Sequence, residues 1–343
     1  MRTIMVTGGA GFIGSAFIRH LLRGDDDVRV INFDKLTYAG NLENLKEVED
    51  DPRYAFVRGD IGDLETCLKV LGRGVDTVVN FAAESHNDRG VLDPSIFIRT
   101  NVLGTQALLE ACRRQEVGRF HHISTCEVFG DLALDDPGSF REEYPQLPRT
   151  PYNASKAAAN HVVMAYHHTF GLPVTISHCC NNYGPYQFPE KLIPLFATNA
   201  LEDRSLPLFR SSQNRREWIH ADDHSAAVDL ILRQGRIGEA YNIGTGLEKS
   251  VEEITDVILE TLGKPESLKT YVEDRKGHDR RYLLDTGKIR RELGWEPRVP
   301  FEEGMRDTIR WYVDHPEWWR RVKSGEYQSY YDHYYRKTLA AAS

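Results

Sequence analysis

The 343-residue chain has no apolar run long enough to cross a bilayer, and no charged leader with an apolar segment and cleavage site precedes the first motif. A membrane-spanning helix needs about 20 consecutive, mostly apolar residues, and a secretory signal has the arrangement that is missing here. We therefore expect a cytoplasmic protein without a membrane partner.

Positive charge is also scarce, because 43 Lys and Arg stand against 51 Asp and Glu, for a formal net charge of −8. Nucleic acids and anionic membranes carry the same sign, so neither is expected as a partner. The five cysteines are odd in number and form no CxxC pair, which indicates neither a disulfide framework nor a zinc site. The histidines add no ligand set with suitable spacing, so no metal is expected.

What the chain does contain is an alternation of strand-like runs and amphipathic stretches up to residue 180. The runs TIMVT, VRVINF, YAFVRGD, VDTVVNFAA, RFHHIST and PVTISHCC are rich in apolar residues, and helical patterns such as FIGSAFIRHLL separate them. Strands of this kind are buried on both faces of a parallel sheet. The pattern predicts an α/β fold with a doubly wound parallel sheet.

Beyond residue 180, segments punctuated by Pro and Gly, such as NNYGPYQFPEKLIPL, predict a smaller and irregular α+β lobe. The expected units are a cofactor-binding domain over 1–178 with returning segments around 217–245, a substrate-binding lobe over 179–330, and a tail over 331–343.

The motif TGGAGFIG joins the first strand to the first helix and is typical of a dinucleotide-binding loop. Gly8 permits the tight turn, Gly11 lets the backbone approach a pyrophosphate, and Gly14 lets the helix pack closely on the strand. The helix N-terminus attracts the anion. Asp34 ends the next strand, where a carboxylate accepts hydrogen bonds from a ribose diol.

An acidic residue at position 34 repels a 2′-phosphate, which favours NAD over NADP, although the adjacent Lys35 keeps NADP open. Asp60 follows the third strand, where its carboxylate could hold an adenine amino group. The alternative is that these residues serve only turns and strand ends.

The stretch TPYNASKAAANHVVMAYHHTF reads as a helix with Tyr152 and Lys156 four residues apart, hence on one face. A phenol with an ordinary pKa of about 10 acts as a base near neutrality only if a neighbouring cation stabilises the phenolate. Lys156 and the positive nicotinamide ring would both do so. The pair therefore predicts a base beside the cofactor.

TGGAGFIG and YNASK together make the chain resemble the extended short-chain dehydrogenase/reductase superfamily, and within it the dTDP-glucose 4,6-dehydratases. FDKLTYAGNLENL, FAAESHNDR, STCEVFGD, NNYGPYQFPEKLIPLF, REWIHADDH and DRKGHDRRYLLD look like that family's landmarks in its order, over nearly the whole chain. The resemblance implies a homodimeric enzyme that oxidises C4 of a nucleotide-bound hexose with tightly held NAD. It then eliminates water across C5 and C6 and returns the hydride to C6.

The resemblance also implies residue roles. Tyr152 would be the base at the C4 hydroxyl, with Thr125 bonded to that oxygen, and Glu127 would take the C5 proton. Where the family has an aspartic acid that protonates the departing C6 hydroxyl, this chain has Cys126. Further cofactor contacts implied in this way are Phe12, Ile13, Thr37, Gly40, Ile61, Ala82, Ala83 and Lys156. Contacts implied to a nucleotide-diphosphate sugar, with a dTDP-hexose favoured, are Ser85, His86, Asn182, Lys191, Leu192, Arg216, Arg275 and His278.

Two further departures from the family concern the substrate. LPLFRSSQN at 206–214 stands where the family reads roughly LPLYGDG, which leaves the nucleotide base open. Asn87 and Gly90 replace an apolar residue and a serine, which can alter contacts to the sugar.

Cys126 leaves several interpretations open, because a thiol has an ordinary pKa of about 8.5 against about 3.9 for an aspartic acid. It keeps its proton at neutral pH but gives it up less readily. In the first interpretation, elimination continues with Cys126 or a re-used Glu127 as the proton donor. In the second, the 4-keto chemistry ends in a 5,6-ene or an epimer. A nucleotide-sugar-binding paralogue that turns over poorly is a third interpretation, and a buried thiol without a chemical role is the simplest one.

Overall fold

The structure is a computed structural model that describes residues 2–86, 93–274 and 279–324. In chain order its strands are β1 Arg2–Thr7, β2 Val28–Asp34, β3 Tyr54–Arg58, β4 Thr77–Asn80, β5 Arg119–Thr125, β6 Val174–Cys179, β7 Asn181–Tyr183, β8 Leu206–Phe209, β9 Arg215–His220, β10 Ala240–Ile243, β11 Glu248–Ser250 and β12 Lys269–Val272.

The α-helices follow the same order. They are α1 Phe12–Gly24, α2 Leu64–Leu71, α3 Ser95–Phe97, α4 Thr105–Arg114, α5 Pro151–Phe170, α6 Leu192–Leu201, α7 Ala221–Gln234, α8 Val251–Leu262, α9 Gly287–Leu293, α10 Phe301–Asp314 and α11 Pro316–Lys323. A π-helical turn, Ile98–Gly104, joins α3 to α4, and short 3₁₀ helices span Leu42–Val48, Cys126–Phe129 and Glu266–Leu268. In the part of the chain that is described, no helix combines the length and the apolar character needed to cross a membrane.

Seven strands form one parallel sheet in the order β10-β6-β5-β4-β1-β2-β3. Successive residues of a strand point to opposite faces. Ile4 and Val6 of β1 accordingly belong to the apolar cluster that includes Phe17 of α1, whereas Met5 belongs to the cluster that includes Leu108 of α4. Helices cover both faces, so the doubly wound sheet predicted from the sequence is confirmed.

The chain reverses its direction of strand addition at β1, which pairs with β2 on one side and β4 on the other. Such a switch point leaves a crevice beyond the carboxyl ends of the strands, because the connections on either side leave in opposite directions. The residues at these ends are therefore the first place to look for a site.

Apart from the clusters on its two faces, a further apolar cluster lies outside the large sheet. A three-stranded sheet, β11-β9-β7, and a two-stranded sheet, β12-β8, accompany helices α6, α8, α10 and α11. Trp218, Phe196 and Ile254 are members of this cluster, and Trp318 and Trp319 of α11 bury their rings in it. The irregular later part of the sequence thus has an apolar core of its own.

Glu217 of β9 links three chain segments, although its side chain is fully buried. One carboxylate oxygen accepts hydrogen bonds from the backbone N–H of Thr245 and Gly246, each at 2.7 Å, and the other accepts from Leu284 N–H at 3.0 Å. A Cβ atom at Gly244 would lie 2.3 Å from Glu217 Oε1, which explains the glycine there. Burial raises the pKa of Glu217 to about 7, against the opposing effect of these backbone donors.

The raised pKa of Glu217 makes a pH dependence of stability testable. The folded chain holds this proton more tightly than the unfolded chain, whose glutamic acid titrates near 4.5. The contribution of Glu217 to stability is therefore full below pH 4.5 and is lost as the pH rises to about 7, by roughly 3 kcal/mol. We expect the free energy of unfolding in urea to fall for the parent relative to Glu217→Gln between about pH 5 and 7. A difference between the two chains that does not change with pH would contradict this origin.

Candidate active site

A cavity of about 720 Å³ lies beyond the carboxyl ends of β1, β2, β4, β5 and β6. Its walls come from the loop after β1, the ends of these strands, the first turns of α5, and the segment 181–191 that leads into α6. The switch point between β1 and β4 lies at its centre, as the topology requires.

The glycine loop packs so closely on its neighbours that it leaves no room for side chains at Gly8 and Gly14. Gly8 has a φ of 65°, and a Cβ atom there would lie 2.7 Å from Ala82 N. A Cβ atom at Gly14 would lie 2.3 Å from Gly8 O, so the helix packs on the turn only because it carries none. Gly11 precedes α1, whose first turn has no acidic side chain. The first N–H groups of α1 can therefore receive an anion in the cavity.

Asp34 lies 8% exposed at the end of β2, within the cavity wall. Its two oxygens accept hydrogen bonds from Leu36 N–H at 2.7 Å and Ala10 N–H at 3.0 Å. Burial raises the pKa of this carboxyl, while the two backbone donors oppose the rise. An ionised carboxylate can accept about four hydrogen bonds, so its remaining lone pairs can accept from a diol.

Lys35 forms an ion pair with Asp60, with Nζ 2.7 Å from Oδ2. Partial burial alone would raise the pKa of Asp60, but hydrogen bonds from Lys35 and from Gly62 N–H bring it below its ordinary value. The positive charge of Lys35, which would favour a 2′-phosphate, is therefore paired with the carboxylate of Asp60.

The reactive row is built where the end of β5 meets the start of α5. Thr125 ends β5, and its hydroxyl caps the following 3₁₀ turn by accepting from Glu127 N–H at 3.3 Å. Thr150 caps α5 in the same way by accepting from Asn153 N–H at 3.2 Å. The five residues that the sequence placed in the reactive row all line the cavity: Thr125, Cys126, Glu127, Tyr152 and Lys156.

Tyr152 is largely buried and its ring lies 5.7 Å from that of Phe97, centroid to centroid. Burial raises the pKa of the phenol well above its ordinary value, with the nearby charge of Glu127 adding to the effect. A hydrogen bond with Thr125 acts in the opposite direction. The phenol is therefore a proton carrier that needs added positive charge before it can act as a base.

Lys156 is 4% exposed, and its contacts differ from those that the Tyr–Lys spacing indicated. Its Nζ donates to the carbonyl of Ile123 at 2.6 Å and lies 3.4 Å from His122 Nε2. Both partners belong to β5, because the long side chain reaches past Tyr152 to a buried carbonyl. Burial lowers the pKa of Lys156 to about 8. The contacts of the Lys156 ammonium group are thus with strand β5.

Cys126 is 1% exposed and belongs to the apolar cluster that includes Phe129, Cys179 and Cys180. Burial raises the pKa of its thiol well above the ordinary value, and the charge of Glu127 raises it further. Cys126 is therefore a protonated thiol in apolar surroundings that also forms part of the cavity wall. Cys179 and Cys180 line the same cavity.

At the opposite end of the cavity, Lys191 Nζ donates to the carbonyl of Ser85 at 3.0 Å. Asn182 donates to the carbonyl of Cys180 at 3.0 Å, and its Oδ1 lies 2.9 Å from His224 Nδ1. Ser85, Asn182 and Lys191 line the cavity, as expected. The cofactor positions proposed from the sequence do so as well: Gly8, Gly11, Phe12, Ile13, Gly14, Asp34, Lys35, Thr37, Gly40, Asp60, Ile61, Ala82 and Ala83.

Three substrate positions lie elsewhere. His86 is buried, with its Nε2 3.9 Å from Glu190 Oε2. Leu192 packs against the apolar cluster that contains Trp218. Arg216 donates to the carbonyl of Asp279 at 2.7 Å, and its guanidinium stacks on Tyr282 at 4.8 Å. Their proposed roles stay predictions. Arg275 and His278, like Asn87 and Gly90, lie outside the described residues.

Sequence reasoning missed several residues of the wall. Tyr38 and Phe188 stack edge to face with ring centroids 5.5 Å apart, so the loop after β2 meets the segment before α6. Their signal was available, because both lie inside the quoted motifs FDKLTYAGNLENL and NNYGPYQFPEKLIPLF. Other lining residues missed are Phe33, Glu84, Arg99, Thr100, Ser124, Asn181, Gln187 and Glu190. Over 2–86, 93–274 and 279–324, no group of His, Cys, Asp or Glu could hold a metal ion.

Comparison with known proteins assigns the chain to a family. Residues 5–308 match the model of the family described as GDP-mannose 4,6 dehydratase. A dTDP-glucose 4,6-dehydratase of Escherichia coli is 47% identical, over 97% of this chain and 98% of that protein. Among solved structures, the dTDP-glucose 4,6-dehydratase DesIV of Streptomyces venezuelae, with NAD and TYD bound, is 52% identical with a TM-score of 0.91, over 94% of this chain and 100% of that one.

The dTDP-glucose 4,6-dehydratase of Bacillus anthracis in complex with NAD is 45% identical, with a TM-score of 0.88, over 94% of this chain and 100% of that one. Sequence and structure thus agree along nearly the full length. The chain belongs to the dTDP-glucose 4,6-dehydratase family.

Proposed function

We propose that this chain is an NAD-dependent nucleotide-diphosphate-hexose 4,6-dehydratase that acts on a dTDP-hexose. The observation that carries the proposal is that one cavity joins the glycine loop and Asp34 to Thr125, Glu127 and Tyr152. It agrees with the name and bound NAD of relatives that match end to end. The homodimer and the cytoplasmic location stay predictions.

The residues around the glycine loop fit NAD. The cradle between Gly8 and Ala82 closes only without a Cβ atom, the start of α1 is free of acidic side chains, and Asp34 keeps lone pairs for a ribose diol. Lys35 is tied to Asp60, which favours the cofactor without a 2′-phosphate. NAD held there would supply the hydride acceptor for the oxidation at C4 and the hydride donor for the reduction at C6.

The first proton transfer belongs to Tyr152, which takes the proton of the C4 hydroxyl as the hydride leaves. Burial raises its pKa, its hydrogen bond with Thr125 opposes that rise, and a cationic Lys156 adds positive charge to the same cavity. The pKa of Lys156 near 8 leaves the ammonium form in the majority at pH 7. The 4-ketone then acidifies C5–H, and Glu127 is the carboxylate that removes that proton.

The departing C6 hydroxyl needs a proton, and the burial of Cys126 makes its thiol a poor source because its pKa is raised well above the ordinary value. Glu127 becomes protonated when it takes the C5 proton, and a carboxylic acid gives up its proton far more readily than such a thiol. We therefore favour elimination in which Glu127 is re-used, with Cys126 filling apolar space beside the leaving group. If this transfer fails, no water is lost and an epimer is the outcome. A 5,6-ene is the outcome if water is lost but the hydride returns to C4 instead of C6.

Incubation of the chain and NAD with dTDP-, UDP- and GDP-hexoses, followed by mass spectrometry, tests the proposed function. Loss of one water with appearance of a ketone is expected from a dTDP-hexose. Loss of water without a ketone would indicate the 5,6-ene, and an unchanged mass with altered stereochemistry would indicate an epimerase. No change with any of these sugars would leave a nucleotide-sugar-binding paralogue.

Tyr152→Phe is expected to lower the rate of C4 oxidation by about 10²–10⁴-fold, because it removes the general base. The phenyl ring keeps the packing against Phe97, so NAD affinity should stay close to that of the parent. The measurement is transient NADH absorbance after mixing with substrate. Tyr166→Phe on the same helix is the matched control, since Tyr166 bonds Gln106 away from the cavity. Parent-like NADH formation in Tyr152→Phe would remove the phenol from the mechanism.

Substitution of Cys126 tests the elimination step. We expect Cys126→Asp to raise the rate of water loss, because an aspartic acid is the stronger acid. With a re-used Glu127, Cys126→Ala keeps measurable elimination, whereas a thiol acid predicts accumulation of NADH. Cys112→Ala removes a buried thiol of α4 outside the cavity and controls for general destabilisation. A slower elimination in Cys126→Asp than in the parent would show that acidity is not what this position lacks.

A further inference from the structure

A chain of buried hydrogen bonds runs from β1 to Lys156 through groups to which the proposed reaction assigns no role. Thr7 ends β1 and Asn80 ends β4, and both side chains are 1% exposed or less. His122 lies on β5, fully buried, with Lys156 of α5 behind it. These four side chains belong to three adjacent strands and one covering helix, so the parallel register places them in a row.

A backbone N–H group sets the direction of the hydrogen bonds in this chain. Ala82 N–H, which can only donate, is 3.2 Å from Thr7 Oγ1. The Thr7 hydroxyl donates its own proton to Asn80 Oδ1 at 2.6 Å. The Asn80 amide group is thereby oriented, and its NH₂ faces Thr105 Oγ1 and His122 Nδ1, each at 3.3 Å. An amide NH₂ has only donors.

The orientation of Asn80 decides which nitrogen of His122 carries the proton. Because Asn80 donates to Nδ1, that nitrogen accepts, and in a neutral imidazole the proton is then on Nε2. Burial lowers the pKa of His122 well below its ordinary value, and the charge of Lys156 lowers it further, so the ring is neutral. Its Nε2–H then points at Lys156 Nζ, 3.4 Å away.

An imidazole N–H donates to a neutral amine but opposes an ammonium group, which has donors only. Lys156 in turn donates to the carbonyl of Ile123 at 2.6 Å, a bond that both protonation states can make. The remaining titratable groups whose charges act on this region are Tyr152 on the same helix, His178 and Cys179 on β6, and His121, the neighbour of His122 on β5. Of these, Cys179 raises the pKa of Lys156, whereas burial lowers it by more.

We propose that His122 and Asn80 are positioning residues that set the protonation of Lys156 through the tautomer of His122. With the proton on Nε2, the ammonium form of Lys156 is disfavoured. With the proton on Nδ1, the bare Nε2 accepts from the ammonium and stabilises it. The catalytic consequence rests on the proposed function. Through Asn80 and His122, Thr7 at the base of the cofactor loop adjusts the charge of Lys156, which the base Tyr152 requires.

Asn80→Asp is the direct test. A carboxylate at 80 accepts from His122 Nδ1–H, so the tautomer reverses and the pKa of Lys156 rises by roughly one unit or more. The tautomer is read from the ¹⁵N shifts of the imidazole, assigned by their loss in His122→Phe. The pKa of Lys156 is read from its ¹³Cε shift, assigned by its loss in Lys156→Met. Adding Asn80→Asp to His122→Phe should give a much smaller rise, because the relay is gone.

A second pair of variants avoids the new charge and decides the question if Asn80→Asp does not fold. Thr7→Val removes the hydroxyl that orients the amide, so we expect the Nδ1–H tautomer to appear and the pKa of Lys156 to rise by less than in Asn80→Asp. Thr105→Val is the matched control, because this equally buried threonine contacts Asn80 without orienting it. It should keep the tautomer and the pKa of the parent.

The outcomes separate this inference from the proposed function. An Nδ1–H tautomer in the parent, or an unchanged tautomer in Asn80→Asp and in Thr7→Val, overturns the inference whether or not the chain is active. Reversal of the tautomer with a raised Lys156 pKa supports it even if no nucleotide sugar reacts. If the enzyme is active, the alkaline limb of the pH profile for NADH formation should shift to higher pH in Asn80→Asp.

Discussion

Burial of ionisable side chains is the constraint on which the site depends. Removing a charge from water is costly, so a buried group tends to its neutral form unless donors or an opposite charge are supplied. In this chain burial is the largest reason why Tyr152 and Cys126 hold their protons more tightly and Lys156 less tightly. Each step of the proposed reaction therefore depends on the partners of the buried side chain that carries it out. For Lys156, one such partner is His122, whose tautomer decides whether it donates or accepts.

The same constraint explains why the two halves of the chain hold together. Glu217 is tolerated in an apolar setting because three backbone N–H groups from two separate segments satisfy it. Leu284, one of these donors, lies two residues after Tyr282, and the guanidinium of Arg216 stacks on the ring of Tyr282. A buried carboxylate thus positions the segment that carries Tyr282, against which Arg216 stacks.

Much of the fold and of the reactive row could be predicted from the sequence. Continuous apolar strands specify a parallel sheet, and the glycine loop specifies where the cavity opens, because both depend on local chemistry. The parts that sequence reasoning missed depend on distances between strands. The contact of Lys156 with Ile123, the pairing of Lys35 with Asp60, and the path from Thr7 to His122 all follow from the register of neighbouring strands, which no spacing along the chain reveals. The contacts of Arg216 with the carbonyl of Asp279 and the ring of Tyr282 belong to the same class, and its proposed role toward the substrate stays a prediction.

The pairing of Lys35 with Asp60 has a consequence for any attempt to re-engineer the cofactor. An exchange of Asp34 for a neutral residue would remove the repulsion of a 2′-phosphate, yet Lys35 would remain held by its carboxylate partner 2.7 Å away. Recruitment of that lysine requires a second change, at Asp60, that releases it. The nucleotide preference of this chain therefore involves two positions, Asp34 at the end of β2 and Asp60 just after β3.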